Sequence, residues 1–211
     1  TFSITSSGSW TYSLNNSHPA VNALDDGGNL SDSFTVNSVD GTPQSVTISI
    51  LGADDLSVVG GVIASNVTED DPTNTTTGTL TATDVDTGDP DNTFQVQTGA
   101  ISDNGYGTFS ITSGGVWTYF LNNSNATVTA LDAGAMLSDT FTVSTADNVT
   151  QLITVNVTGT NDAAIIGGTA SGPVTEDAVP NTTTGTLTAI DVDTGDADNT
   201  FQVQTGVISN N

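Results

Sequence analysis

The residues best able to do chemistry are four aspartates in an eight-residue segment, DVDTGDPD, that begins at Asp84. A second copy, DVDTGDAD, begins at Asp191. Two like charges 4 Å apart repel by about 4 kcal/mol at an effective dielectric constant of about 20, so such a segment is strained unless a cation neutralises it. Ca²⁺ suits the segment best, because it accepts about six to eight oxygen ligands from carboxylates, carbonyls and amides in flexible geometry. Mg²⁺ is the weaker candidate, because it gives up its water reluctantly.

A second interpretation of the same segment needs no metal. The spacing lacks the Asp-x-Asp-x-Asp-Gly order and the distant glutamate of an EF-hand. Aspartate and asparagine also form turns and keep loops soluble. On composition alone both interpretations stay open.

Composition excludes several partners and chemistries. The chain holds 24 Asp plus Glu and no Lys or Arg, which gives a formal net charge of -24. Nucleic acids and anionic membranes are therefore excluded as partners, and cations are the natural counter-charge. The absence of Cys excludes disulfides, thiolate metal sites and thiol nucleophiles.

The chain repeats itself at a constant offset of 107 residues. Residues 1–17 read TFSITSSGSWTYSLNNS and residues 108–124 read TFSITSGGVWTYFLNNS. About 60 of the 104 aligned pairs are identical, which indicates a duplicated structural unit. We expect the C-terminal part of one repeat at 1–54, a complete repeat at 55–161 and the N-terminal part of the next at 162–211. Either a longer chain or head-to-tail copies that complete each other's split unit would account for this frame.

Short stretches of alternating apolar residues, separated by Gly, Asn, Asp and Ser, predict an all-β fold of tandem immunoglobulin-like or cadherin-like β-sandwiches. In the complete repeat we expect about seven strands, at 67–68, 78–83, 93–97, 108–112, 116–121, 140–144 and 152–158. Residues 126–131 could form one helical turn. The aromatic residues Trp10, Tyr12, Trp117 and Tyr119 are expected to pack in or beside the cores. The alternative is that they stack on carbohydrate.

The two copies keep some acids and lose others. Asp26, Asp71 and Asp103 stand opposite Ala133, Ala178 and Asn210. The four aspartates of the acidic segment all recur, as do Glu69 with Glu176 and Asp55 with Asp162. Solubility alone would not select which acids recur, so the comparison favours a metal site.

Three stretches resemble the VCBS repeat of large bacterial surface adhesins: residues 67–94 (VTEDDPTNTT…), 107–134 (GTFSITSGGV…) and 139–163 (DTFTVSTADN…). The resemblance covers the whole period of the repeat. It implies a cadherin-like sandwich, export from the cell, and a role in adhesion, biofilm or surface fibres.

The resemblance also implies a Ca²⁺ site between consecutive units. Glu69 would match the cadherin glutamate of the first strand, Asn161 and Asp162 the linker pair, and Asp191 with Asp193 the Asp-x-Asp of the next unit. The middle Asp-x-Glu ligand set has no counterpart, so we expect one or two ions at a junction rather than three. The full set of expected ligands is Asp54, Asp55, Glu69, Asp84, Asp86, Asp89, Asp91, Asn161, Asp162, Glu176, Asp191, Asp193, Asp196 and Asp198.

These observations predict a structural extracellular module that forms the Ca²⁺-stiffened shaft of a surface adhesin or fibre, with neighbouring copies of the repeat as partners. The alternative is an adhesin module that binds a carbohydrate or a cell-surface ligand, which would need a surface feature present in only one copy. The largest difference, at 37–45 against 144–152, is a short loop of ordinary polar residues without a recognition site. We expect no enzyme, because His18 is the one histidine and Asn125 replaces it in the second copy.

Overall fold

Strands form wherever β-branched and aromatic residues alternate with polar ones, and Gly, Asn and Asp end them. The computed structural model describes residues 1–88, 90–195 and 197–207. The elements in chain order are β1 (Phe2–Ile4), β2 (Trp10–Tyr12), α1 (Pro19–Asn22), β3 (Asn29–Asn37), β4 (Pro43–Leu51), β5 (Val58–Gly61), β6 (Ala64–Thr68), β7 (Thr75–Thr83), β8 (Gln97–Ile101), β9 (Gly107–Ile111), β10 (Val116–Leu121), β11 (Met136–Ser144), β12 (Thr150–Thr158), β13 (Ile165–Gly168) and β14 (Leu187–Ile190).

Strands β5 to β12 form a two-sheet sandwich over residues 58–158, called here the central sandwich. One sheet has the strand order β5-β7-β10-β9-β8 and the other β11-β12-β6. All pairs are antiparallel except β12 with β6, which is parallel. The chain therefore changes sheet between β5 and β6, and the architecture is all-β.

The core of the central sandwich comes from the inward faces of both sheets. In β12, Ile153, Val155 and Val157 are buried while the residues between them are only partly so, which is the period-2 pattern of a strand with one face on a core. Phe141 lies at the centre, stacked on Phe109 at 4.1 Å between ring centroids.

The sequence predicted most of these strands, with two errors. Strand β5 was missed because its two glycines weaken the strand pattern. The strand expected at 93–97 is wrong: Phe94 makes an isolated bridge to Thr145, and the regular strand begins at Gln97. Residues 126–130 form hydrogen-bonded turns, which include a single helical turn closed by the Thr129 N–H donating to the Asn125 carbonyl at 2.9 Å.

The predicted burial of the aromatic residues has a different outcome in each copy of the repeat. Trp117 and Tyr119 are fully buried, as expected of core residues. Trp10 is 46% exposed, although it occupies the same place in the repeat as Trp117.

Shorter elements flank the central sandwich on both sides. Before it, β1 pairs with β2 and β3 with β4, as two antiparallel hairpins. After it, β13 pairs with β14. We call residues 1–52 the N-terminal half-unit and residues 165–207 the C-terminal half-unit. Within the described ranges, no helix has the length and apolar character needed to cross a membrane.

Candidate metal centres

Three carboxylates converge where the N-terminal half-unit meets the central sandwich, at a place called here the first junction. One oxygen each from Asp25, Asp54 and Asp86 lies within 4.8 Å of the other two. Asp25 comes from the N-terminal half-unit, Asp54 from the connecting segment, and Asp86 from the loop that follows β7. Carboxylates from both sides of the junction therefore face one point.

A glycine positions Asp25. Gly52 follows β4 and runs so close to the preceding loop that a Cβ there would lie 2.0 Å from the Asp25 carbonyl oxygen and 2.3 Å from that of Leu24. Only glycine permits this approach. The Gly52 N–H donates to the Gly28 carbonyl at 3.0 Å, and the Gly28 N–H donates to the Asp25 carbonyl at 2.9 Å. The loop is thereby held against the start of the connecting segment.

Main-chain hydrogen bonds orient the aspartates after β7. The Asp55 N–H donates to Oδ2 of Asp86 at 2.7 Å, and the Asp86 N–H donates to Oδ1 of Asp84 at 2.8 Å. The Thr87 hydroxyl donates to the Ala23 carbonyl at 3.1 Å, across the junction. Each carboxylate therefore has one oxygen fixed by the backbone.

The other oxygens of these two carboxylates are buried and lack partners. Oδ2 of Asp84 and Oδ1 of Asp86 have no hydrogen-bond partner among the described residues. Loss of hydration, followed by the charges of Asp25 and Asp86, raises the pKa of Asp54. Buried carboxylate oxygens are normally paired or bound to a metal, so this arrangement is one that a cation would complete.

The same arrangement recurs where the central sandwich meets the C-terminal half-unit, at the second junction. The Asp162 N–H donates to Oδ2 of Asp193 at 2.8 Å, and the Asp193 N–H donates to Oδ1 of Asp191 at 2.9 Å. Oδ2 of Asp191 and Oδ1 of Asp193 again have no partner among the described residues. Asn161 stands where the first junction has Asp54.

Glu69, at the end of β6, adds a fully buried carboxylate to the second junction. Its Oε2 accepts the Thr160 N–H at 3.3 Å, and its Oε1 has no partner among the described residues. Burial raises the pKa of Glu69 to about 7, and the charges of Asp162 and Asp70 act in the same direction. Partial burial and the charges of Asp70 and Asp193 also raise the pKa of Asp162.

Asp132 joins the two sides of the second junction. Its Oδ1 accepts the Gly195 N–H at 2.9 Å, and a Cβ at Gly195 would lie 1.8 Å from its Oδ2. The Thr194 hydroxyl donates to the Ala130 carbonyl at 3.1 Å, which repeats the bond between Thr87 and Ala23. Three hydrogen bonds thus recur at the two junctions one repeat apart, whereas the bond from Gly195 to Asp132 is seen at the second junction.

The structure brings most of the residues predicted as ligands to the two junctions. The first junction contains Asp54, Asp55, Asp84 and Asp86. Asp55 takes part there through its backbone N–H. The second junction contains Glu69, Asn161, Asp162, Asp191 and Asp193. Glu176 is exposed, unlike its counterpart Glu69. Asp91 is partly buried and Asp198 exposed, each in the loop of its own copy. Asp89 and Asp196 lie outside the described residues.

Sequence reasoning missed Asp25, Asp132 and Asp70. Asp25 and Asp132 are the same position of the repeat, inside a shared Ala-Leu-Asp, and this recurrence was a usable signal. Asp70 follows Glu69 with a φ of 53°, and its counterpart Asp177 has a φ of 60°.

The donor set at both junctions fits a hard divalent cation. Carboxylate, amide and carbonyl oxygens are available, and Cys is absent from the sequence. Oxygen-only sites of mixed carboxylates and carbonyls suit Ca²⁺, and the separations at the first junction are compatible with ligands at about 2.3–2.6 Å from one ion.

No protein-family model matches the chain, and no curated protein matches it. Solved structures with a similar backbone are extracellular cadherin domains of protocadherins. PcdhgB3 EC1-4 matches with a TM-score of 0.43 and 14% identity, over 78% of this chain and 48% of that one. Protocadherin Gamma B2 extracellular cadherin domains 1-5 match with a TM-score of 0.43 and 16% identity, over 92% of this chain and 38% of that one. The chain therefore spans less than half the length of these proteins.

Proposed function

We propose that the chain is a structural extracellular repeat module whose junctions bind Ca²⁺ and are stiffened by it. One observation carries the proposal: carboxylates from both sides of the first junction converge, and both junctions hold buried carboxylate oxygens without a partner among the described residues. A bound ion would supply positive charge and a common ligand to both sides. No basic side chain can replace it, because the chain has no Lys or Arg.

Repulsion determines what the junctions do without an ion. Like charges at contact distance oppose each other by several kcal/mol in a partly buried site. The raised pKa values of Asp54 and Asp162 report this unfavourable environment for the ionised form. Without a cation we expect the units to change their relative angle, because the few hydrogen bonds across a junction act against that repulsion.

The module's role follows from this coupling. Consecutive units held at a fixed angle form a rod, whereas freely jointed units form a flexible string. The resemblance to VCBS repeats supports a place in the shaft of a bacterial surface adhesin or fibre, with neighbouring repeats as partners. The Ca²⁺ affinity is expected in the range of extracellular modules, about 10⁻⁴ to 10⁻³ M. We expect no catalytic activity.

The test compares two neighbouring aspartates. Asp25→Asn removes a converging carboxylate, while Asp26→Asn is the matched control, since Asp26 is exposed and Ala133 replaces it in the other copy. Isothermal titration measures Ca²⁺ binding, and small-angle X-ray scattering measures the maximum dimension with Ca²⁺ and with chelator. With Ca²⁺, we expect the unmodified chain and Asp26→Asn to have a larger maximum dimension and a narrower distribution of interatomic distances than in chelator.

Asp25→Asn should bind Ca²⁺ more weakly at the first junction. Even with Ca²⁺ present, its distribution of interatomic distances should stay partly like the one measured in chelator. The proposal is wrong if Ca²⁺ changes neither the melting temperature nor the maximum dimension of the unmodified chain. Equal weakening in both variants would show a general charge effect instead of a site.

A further inference from the structure

The N-terminal half-unit exposes a preformed aromatic cluster. Phe2 stacks on Phe34 at 3.9 Å between centroids, and Trp10 meets Phe34 edge-on at 5.8 Å. Phe2 is nevertheless 45% exposed and Trp10 46% exposed. Beside the cluster lie two open clefts of about 380 and 640 Å³, lined in part by Tyr12 and by Ile4.

The central sandwich contains the same cluster with its cover in place. Phe109 stacks on Phe141 at 4.1 Å, and Trp117 meets Phe141 edge-on at 5.6 Å. Phe109 is 5% exposed and Trp117 is 0% exposed. The cover includes Leu80 in β7 and Phe94 in the following loop.

The C-terminal half-unit has the residues of that cover and exposes them. Leu187 and Phe201 stand one repeat after Leu80 and Phe94. They are 43% and 46% exposed, against 1% and 4% for their counterparts. The two half-units therefore leave uncovered the positions that are buried against each other in the central sandwich.

One position of the repeat must be glycine so that a tryptophan ring can pack against it. A Cβ at Gly78 would lie 2.5 Å from the ring of Trp117, so this position must be glycine for the indole to fit. Gly185 is the same position of the repeat. Within its own chain the atoms nearest to a Cβ there belong to Thr169, not to a tryptophan.

We propose that the N-terminal half-unit is an interface for a second copy of this chain, whose residues 165–195 and 197–201 complete the sandwich in trans. The pairing of β10 with β7, in which Trp117 lies opposite Gly78, gives the register. Trp10 of one copy packs against Gly185 of the other, and Thr11 lies opposite Thr184. Each copy offers both surfaces, so the copies join head to tail.

The chemistry of the two surfaces selects a second copy as the occupant. Their matching positions are apolar on both sides, and both carry net negative charge without any Lys or Arg. Such a joint depends on apolar burial and strand pairing instead of ion pairs. Added monovalent salt should therefore strengthen it by screening the repulsion.

The first experiment measures mass against concentration by sedimentation, in chelator, so that Ca²⁺ bridging plays no part. The full chain is expected to reach at least twice the 21.3 kDa of one chain as its concentration rises. Trp10→Ser should weaken association about tenfold or more. Phe120→Ser is the matched control, since Phe120 is 47% exposed but lies on the outer face of the central sandwich, and it should not change association.

The second experiment fixes the register without touching the apolar residues. Thr11→Cys chains are mixed with Thr184→Cys chains in chelator under mild oxidation, and the disulfide-linked pair is quantified. Thr182→Cys is the control, because the central sandwich places the counterpart of Thr182, Thr75, opposite Phe120 and not opposite Thr118. The Thr184→Cys mixture should give severalfold more heterodimer than the Thr182→Cys mixture.

A chain that stays monomeric at every concentration would overturn the proposal, including a compact monomer in which the half-units close on each other. So would assembly that Trp10→Ser leaves unchanged, or equal cross-linking at the two cysteine positions. Because both experiments run in chelator, their failure would leave the Ca²⁺ proposal standing.

Discussion

The backbone N–H of Asp55 donates to Oδ2 of Asp86 across 2.7 Å at the first junction. One repeat later, the N–H of Asp162 donates to Oδ2 of Asp193 across 2.8 Å. In both places the connecting segment is tied to the loop of the following unit through one carboxylate oxygen, and the other oxygen stays buried without a partner among the described residues. The main chain itself thus presents the remaining oxygen to the junction.

Asp86→Asn is predicted to weaken Ca²⁺ binding at the first junction by about tenfold or more, because charged ligand count sets the affinity of such sites. Asp103→Asn serves as control, since Asp103 bonds the Thr140 hydroxyl in the central sandwich and Asn210 replaces it in the other copy. Isothermal titration of both variants is the measurement. Unchanged affinity in Asp86→Asn would remove Asp86 from the ligand set.

Glu69 is predicted to make the metal-free protein less stable as the pH rises. The folded-state pKa of Glu69 is about 7, above the ordinary value of 4.5. The folded protein therefore holds this proton more tightly than the unfolded chain, and the contribution is fully present below pH 4.5 and lost as the pH rises to about 7. The shift corresponds to a loss on the order of 3 kcal/mol.

Denaturant unfolding in chelator between pH 4.5 and 7.5 measures this loss, and Glu69→Gln should remove most of it because the amide does not titrate. If Glu69→Gln showed the same pH dependence as the unmodified chain, the titrating group would lie elsewhere.

Gly78→Ala is predicted to destabilise the central sandwich by about 1 to 3 kcal/mol, since the added Cβ would lie 2.5 Å from the Trp117 ring and overpack the core. Gly114→Ala is the control. Its added Cβ would meet only the Thr112 hydroxyl, at 4.0 Å, so the free energy of unfolding should change little. Urea unfolding followed by tryptophan fluorescence measures both variants. Equal stabilities would show that the indole can move away.

Asp139→Asn is predicted to cost about 2 to 4 kcal/mol of stability. Asp139 is fully buried and accepts four hydrogen bonds, two of them from the Tyr119 hydroxyl at 2.7 Å and the Ser102 hydroxyl at 2.5 Å. The asparagine NH₂ group cannot accept, so some of these donors would be left unpaired.

Asp32→Asn is the matched control for this variant, because Asp32 is exposed and bonds Tyr12 in the same way at 2.7 Å. It should change stability by about 0.5 kcal/mol or less. Thermal unfolding of the pair tests whether burial makes the difference.

The strand pattern was predictable where one face of a strand is buried, as in β12, because alternation along the chain reports that face directly. Strand β5 was not predictable from the sequence, since Gly60 and Gly61 have no side chains and therefore show no alternation of apolar and polar residues. The exposure of Trp10 could not be predicted from its own neighbours. Its counterpart Trp117 is buried by residues far from it in the sequence, such as Gly78 opposite it in β7 and Leu80 in the same core, and the residues around Trp10 do not show whether such a cover is present.

The acidic loop stood out in the sequence because its four carboxylates recur after a strand in both copies, and its binding of a metal stays a prediction. Asp25 was missed although it recurs as Asp132, because an aspartate in an Asp-Asp-Gly-Gly segment resembles any turn former. What gives it a role is the close approach of Gly52, a contact between residues 27 positions apart that only the fold creates. The burial of Glu69 depends on the fold in the same way, whereas its copy Glu176 is exposed.

The parallel pairing of β6 with β12 has a mechanical consequence. These strands lie near the entry and the exit of the central sandwich, side by side from Ala64 opposite Thr154 to Thr68 opposite Thr158. Traction that draws the two ends of the chain apart slides one strand along the other, so the hydrogen bonds of the ladder bear the load together instead of opening one by one. A shaft made of such units would resist tension through the β6–β12 hydrogen bonds inside each sandwich and not only through the junctions between sandwiches.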